Sequence, residues 1–245
     1  MGPLLEGQGI SKNFGGVQAL DGIDLSIDGG EVVGLIGPNG AGKTTLFNVI
    51  CGLKPTRGRI LFGGEDITGC PPHQLCRRGI ARTFQLTRPF VELSVRDNVA
   101  AAVLFGRNHR KVSRLSEART GADLVLSWVK LDQRGDTPAQ DLLFSERRRL
   151  ELARALATGP GLLLLDEVMA GLTVAEAQDM IDILGRLRRE LGLTVLVIEH
   201  VMKVVMTMCD RIVVLNYGSK LAEGAPEAVA RDRAVIDAYL GVESA

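Results

Sequence analysis

Short apolar runs alternate with longer amphipathic stretches along this chain. Residues 31–36, Glu-Val-Val-Gly-Leu-Ile, form a compact apolar run that ends at a glycine loop, which predicts a buried strand. A helix is expected to follow over residues 43–51. Residues 162–165, 194–198 and 211–215 are three further apolar strand candidates. Between the first two of these, residues 175–191 repeat Met180, Ile181, Leu184, Leu187 and Leu191 at helical spacing. Strand, helix and strand in this succession imply a largely parallel sheet covered by helices.

The N-terminal pattern differs. Ile23-Asp-Leu-Ser-Ile27 alternates apolar with polar, and Asp28-Gly29-Gly30 supplies a turn, as in an antiparallel strand pair. Residues 58–62 followed by Gly63-Gly64 predict another such strand and turn. From about residue 86 to 158 the pattern is mostly helical, with residues 95–105 behind a Ser94 cap. That stretch reads as an inserted helical subdomain of about residues 86–158, and the α/β core occupies about residues 1–85 and 159–245 of one domain. The chain shows no internal repeat and no low-complexity tract.

Composition narrows the function classes. At 245 residues the chain suits one large domain, and a hydrophobic content of 46% is ample for its core. Lys+Arg and Asp+Glu both number 29, so the balanced charge argues against a dominant nucleic-acid surface. The basic clusters at residues 147–149 and 186–189 read as solvated helix faces. No apolar stretch approaches the roughly 20 residues that span a bilayer. The first six residues, Met-Gly-Pro-Leu-Leu-Glu, lack the basic head and apolar run of a secretory signal, so a cytosolic protein is expected. Cys51, Cys70, Cys76 and Cys209 are irregularly spaced and suggest no disulfide framework. Cys70, His73 and Cys76 lie close in sequence, but no fourth metal ligand stands nearby.

The candidate chemistry begins at Gly37-Pro38-Asn39-Gly40-Ala41-Gly42-Lys43-Thr44-Thr45, which fits the P-loop pattern and has the strand before and the helix after that the pattern requires. Glycines let successive backbone N–H groups turn toward phosphate oxygens, and the helix start adds its positive dipole end. Lys43 is placed to reach β- and γ-phosphates, and the Thr44 hydroxyl to ligate Mg²⁺. The second half of such a site is an acid at the end of a buried strand. Here residues 162–165 lead into Asp166-Glu167. Asp166 is expected to hold Mg²⁺ through water, and Glu167 to polarise the attacking water as general base.

A P-loop alone settles only nucleotide binding. Further residues narrow the choice: Phe14 upstream, Gln85 in Ala81-Arg-Thr-Phe-Gln85, a helix beginning at Arg147, and His200 closing Val197-Ile-Glu-His200. In this order they resemble the ABC ATPase family over essentially the whole chain. The resemblance implies that Phe14 stacks on adenine. It also implies that Gln85 touches Mg²⁺ and the attacking water, and that His200 contacts the γ-phosphate. Gly79-Ile-Ala-Arg-Thr-Phe-Gln85, Arg88-Pro-Phe90, Leu93-Ser-Val95, Glu199-His200-Val-Met202 and Val235-Ile-Asp-Ala-Tyr239-Leu-Gly241 are similar to the first ATPase subunit of branched-chain amino-acid uptake systems. That branch implies ATP and Mg²⁺ as cofactors, a second ABC ATPase subunit, two transmembrane permease subunits, a solute-binding protein acting indirectly, and no nucleic acid. It places the chain peripherally on the cytoplasmic side of the inner membrane.

The sequence departs from the family where a partner is met. The Leu-Ser-Gly-Gly-Gln-type signature reads Leu142-Leu143-Phe144-Ser145-Glu146 here, so Leu143 stands at the serine position and Ser145 at the second glycine. Val168 replaces the proline after the glutamate, Thr173 the usual Asp or Asn of the next loop, and Val201 a common aspartate. Two explanations stand: an asymmetric heterodimer with one weak composite site, favoured over a homodimer, or a loop whose backbone donors suffice. The rival functions are a non-transport ABC ATPase and a regulatory subunit that binds ATP without turnover. The single P-loop and the retained Glu167 and His200 speak against them.

Overall fold

A computed structural model describes residues 2–84, 89–107, 112 and 114–240 of the chain. These divide into two compact units, residues 1–72 with 194–245, and residues 73–193.

The first unit opens with β1 (Leu5–Phe14), β2 (Val17–Ile27) and β3 (Val32–Ile36), then α1 (Lys43–Ile50), β4 (Arg57–Phe62) and β5 (Glu65–Asp66). Strands β2, β1, β4 and β5 form an antiparallel sheet in that order. Leu20, Ile23, Leu25 and Ile27 bury one face of β2 while polar residues between them face out. The pattern therefore forecasts the antiparallel strand, but the hairpin turn is elsewhere. β2 pairs with β1 through Leu5↔Ile27 to Phe14↔Val17, and the chain reverses at Gly15-Gly16. Asp28-Gly29-Gly30 instead hands the chain over to a different sheet.

The second unit holds α2 (Pro72–Arg78), which straddles the boundary, β6 (Ile80–Arg82), α3 (Val95–Phe105), α4 (Leu115–Trp128), α5 (Phe144–Ala157), β7 (Leu162–Asp166) and α6 (Val174–Leu191). Strands β6 and β7 pair in parallel. Ser94 caps α3 as predicted, its Oγ accepting from the Asp97 N–H at 3.0 Å. Fully buried Asn98 ties the preceding loop to this helix: its Oδ1 accepts from the Phe90 N–H (2.8 Å), and its Nδ2 donates to the carbonyls of Phe90 (2.9 Å) and Ser94 (3.0 Å). In α6 the buried stripe is Met180, Ile183, Leu184 and Leu187. Ile183 belongs to it, whereas Ile181 is only half-buried and Leu191 is exposed. The last turn of α6 runs past the apolar seam before Gly192, at φ 62°, stops it. Helix α5 starts at Phe144 rather than Arg147, so Phe144, Ser145 and Glu146 form its first turn.

The chain then returns to the first unit with β8 (Thr194–Ile198), α7 (Met202–Met208), β9 (Arg211–Asn216), β10 (Ser219–Gly224), α8 (Pro226–Val229) and α9 (Arg233–Leu240). Strand β3 lies between β8 and β9 and runs parallel to both, and β10 adds antiparallel to β9. All five residues of β3 and of β8 are buried, which is why they read as continuous apolar runs. Arg211 secures the start of this sheet, its guanidinium meeting both Glu31 oxygens (2.8 and 2.9 Å) and the Ser26 carbonyl (2.6 Å). Among the described residues no helix is long and apolar enough to cross a membrane.

Candidate nucleotide site

The glycine loop of residues 37–42 joins β3 to α1 and is braced from behind. Gly37 has φ 145°, and a Cβ there would stand 2.1 Å from the Leu215 carbonyl oxygen at the end of β9. Gly42 has φ 101°, with 2.6 Å from such a Cβ to the Ala19 oxygen of β2. No side chain fits at either position without moving backbone. The β9–β10 turn adds two bonds: Gly218 N–H donates to the Ala41 carbonyl (3.1 Å), and the Gly218 carbonyl accepts from Asp21 N–H (2.8 Å). Finally, Gly37 N–H donates to the Tyr239 hydroxyl of α9 at 2.8 Å. Burial keeps that phenol protonated, raising its pKa against the opposing effect of the Gly37 bond.

The front of the loop is built for an anion. Lys43 is only 6% exposed, and its ammonium rests on the carbonyls of Gly37 (2.6 Å) and Pro38 (2.8 Å). Among the described residues, nothing accepts from the N–H groups of Gly40, Gly42, Thr44 and Thr45. Asn39, Gly40 and Thr44 are exposed. Helix α1 has no side-chain N-cap, so the amides of Thr44 and Thr45 and the positive end of its dipole are left for a ligand beside a buried cation. These residues fit a polyphosphate.

Phe14 sits at the tip of the β1–β2 hairpin, 49% exposed, with the Lys12 ammonium 5.1 Å from its ring centroid. An open aromatic face beside a cation is free to stack on a planar base. His200 is exposed two residues beyond β8, after buried Glu199. Gln85 lies outside the described residues.

In the other unit, Asp166 ends buried β7 and is itself 5% exposed. Its Oδ2 meets Arg82 Nη2 at 2.7 Å, and its N–H donates to the fully buried Thr83 hydroxyl at 3.2 Å. Thr83 N–H in turn donates to Leu164 (2.9 Å), so the stretch after β6 carries the support of the acid. Arg82 and Thr83 both lie within the Gly79–Gln85 motif, yet no local spacing marks either of them for this role. Glu167 holds a left-handed backbone at φ 50°, unusual for a non-glycine residue, and such strain concentrates where a side chain must be aimed. Among the described residues no group of three His, Cys, Asp or Glu side chains gathers to cage a metal. Buried Asp166 presents a carboxylate of the kind that binds Mg²⁺, an ion that needs few protein ligands because it keeps waters and substrate phosphate oxygens.

Two family models match the chain. The model described as "ABC transporter" covers residues 20–170, and "Branched-chain amino acid ATP-binding cassette transporter" covers residues 219–245. The chain belongs to the ABC transporter family. It is an ATP-binding subunit, and such family members hydrolyse ATP to power transport. The high-affinity branched-chain amino acid transport ATP-binding protein BraF of Pseudomonas aeruginosa is 41% identical over 98% of both chains. The ADP conformation of MJ1267, an ATP-binding cassette of an ABC transporter, superposes with a TM-score of 0.86 at 34% identity, covering 98% of this chain and 100% of that one. A dimeric bacterial ABC transporter cassette, MJ0796, gives 0.81 at 26% identity over 91% and 98%.

Within the ABC frame, the residues that depart from the family pattern make definite local contacts. Leu143 is the N-cap of α5 yet has no side-chain acceptor, and it stands 67% exposed. Only the reverse half of a capping box forms, with Glu146 Oε2 accepting from Leu143 N–H at 2.9 Å. Arg134 grips both Glu146 oxygens (2.9 and 3.1 Å) and holds that carboxyl below the usual range. Arg148 donates to the Ala170 carbonyl (3.3 Å) and lies 5.1 Å over the Phe144 ring. Thr173 replaces Asp or Asn without loss of function as a cap: its Oγ1 accepts from Glu176 N–H (3.3 Å), and Glu176 reciprocates on Thr173 N–H (2.9 Å).

Proposed function

We propose that the chain hydrolyses MgATP to energise an importer of branched-chain amino acids or related small organic solutes, from the cytoplasmic face of the plasma membrane. It would act with two permease subunits and a second, unlike ATPase subunit, and a solute-binding protein would deliver the cargo. The observation that carries the reading is the row of acceptor-free amides at Gly40, Gly42, Thr44 and Thr45 beside buried Lys43. The 41% identity to BraF supports the class of cargo.

Each residue then has a role. Residues 37–45 wrap the triphosphate, and Lys43 exchanges its loop carbonyls for β- and γ-phosphate oxygens. Phe14 stacks on adenine. Thr44, Gln85 and, through water, Asp166 would hold Mg²⁺, which draws charge from the phosphate oxygens when bound. Glu167 takes a proton from the attacking water as its oxygen bonds to the γ-phosphorus. The bond to the bridging oxygen breaks, and ADP and inorganic phosphate leave. His200 orients the γ-phosphate through a hydrogen bond.

Purified protein is expected to retain MgATP, and Lys43→Ala to lose it. Glu167→Gln should keep ATP but turn it over about 10²–10⁴-fold more slowly in the assembled transporter, the usual contribution of a general base. Equal retention by Lys43→Ala would overturn the nucleotide site. Full turnover by Glu167→Gln would remove the general base from the mechanism. A non-hydrolysing regulatory subunit would show no turnover before substitution.

A further inference from the structure

The hydrogen bond between α9 and the glycine loop has no part in the roles assigned above. Gly37 is pinned from both sides: its N–H donates to Tyr239 Oη at 2.8 Å, and its carbonyl accepts from Lys43 Nζ at 2.6 Å. As a glycine it has the widest backbone freedom of any residue, and it sits at φ 145°, where other residues rarely go. Nothing in its own chemistry holds that conformation, so its partners must.

We infer that Tyr239 is a positioning residue for the nucleotide loop, its hydroxyl fixing the Gly37 backbone so that Lys43 and the free amides are set before nucleotide arrives. Tyr239 rides on the last turn of α9, which is anchored by buried Val235. The tyrosine is itself 45% exposed, so its ring is not a core element whose trimming would collapse the unit. Its contribution therefore lies in the hydroxyl. The phenol bonds the Gly37 N–H, an amide distinct from those of Gly40, Gly42, Thr44 and Thr45, and so acts on loop order rather than on the reacting atoms.

This inference rests on the loop being a triphosphate cradle. The test compares Tyr239→Phe, Tyr239→Leu and Lys43→Ala with the parent protein, using MgATP and MgADP as probes. Loss of one neutral hydrogen bond of pre-organisation should weaken nucleotide retention about 2- to 10-fold in Tyr239→Phe. In the assembled transporter KM for ATP should rise by the same factor, with kcat at saturation unchanged, because ground and transition states lose the loop order equally. Amide hydrogen exchange at Gly37 should accelerate without nucleotide, while the unfolding temperature of Tyr239→Phe stays with the parent. Three results overturn the inference: wild-type affinity in Tyr239→Phe, an effect seen only in Tyr239→Leu, or a fall in kcat with KM unchanged. If Lys43→Ala also binds like the parent, the cradle itself has failed; if it alone loses binding, only the role of Tyr239 has.

Discussion

In each unit a buried ionisable residue is held by a named neighbour. Asp166 is neutralised by Arg82 at 2.7 Å, and Lys43 is satisfied by two loop carbonyls. Lys43 and Asp166 were legible in the sequence because a fixed local spacing announces each of them. Arg82 and Tyr239 were not, because their partners lie far away along the chain and no local pattern encodes such a pairing. The left-handed backbone of Glu167 is likewise invisible in a residue type that usually avoids it. A thiol away from the loop gives a prediction at this scale. Burial, helped by the carboxylates of Asp210 and Glu199, pushes the Cys209 thiol from 9.0 up to about 12. Its folded pKa lies above its unfolded one, so its stabilising contribution is complete below pH 9 and is lost as pH rises toward 12. Urea midpoints of the parent should therefore fall between pH 8 and 10 by the equivalent of about 1 kcal/mol more than those of Cys209→Ala. Parallel pH profiles would contradict this.

Helices and strands were read most securely where burial is one-sided or complete. The apolar runs became β3, β7, β8 and β9, and the Ser94 cap fixed the start of α3. The errors fell where pattern underdetermines geometry. The turn at residues 28–30 has the chemistry of a hairpin but joins two sheets, because strand partners are chosen by tertiary packing rather than by the turn alone. Helix α5 starts at Phe144, three residues before the Arg147 start that the sequence pattern predicts. Neither Leu143 nor Phe144 carries a capping side chain, and the helix relies on Glu146 reaching back. Helix α6, by contrast, has a full reciprocal cap at Thr173. Thr173→Ala should cost about 1 kcal/mol and Thr173→Asp almost nothing, both read from urea midpoints. A loss as large in Thr173→Asp would show that the hydroxyl does something other than cap.

At the scale of the whole molecule, family membership brings dimerisation and permease subunits, and the signature is where the proposal of an unlike partner is tested. An exposed Leu143 offers no hydrogen bond to a nucleotide held across a dimer, and the Ser145 hydroxyl is engaged with Glu176 of α6. In a pairing with an unlike partner, the double substitution Leu143→Ser, Ser145→Gly should raise the ATPase rate of the assembled transporter severalfold by activating the second composite site. An unchanged rate would mean that backbone donors already suffice there. The two units also differ in how they are strung along the polypeptide. One is continuous from residue 73 to 193, while the other is interrupted by it. Strand β3, which ends in the glycine loop, is flanked on both sides by strands that begin only at Thr194 and Arg211. On the ribosome this wholly apolar segment must emerge early and wait, unpaired, for most of translation. Chaperone dependence and cotranslational aggregation should accordingly track the rate of elongation through residues 73–193.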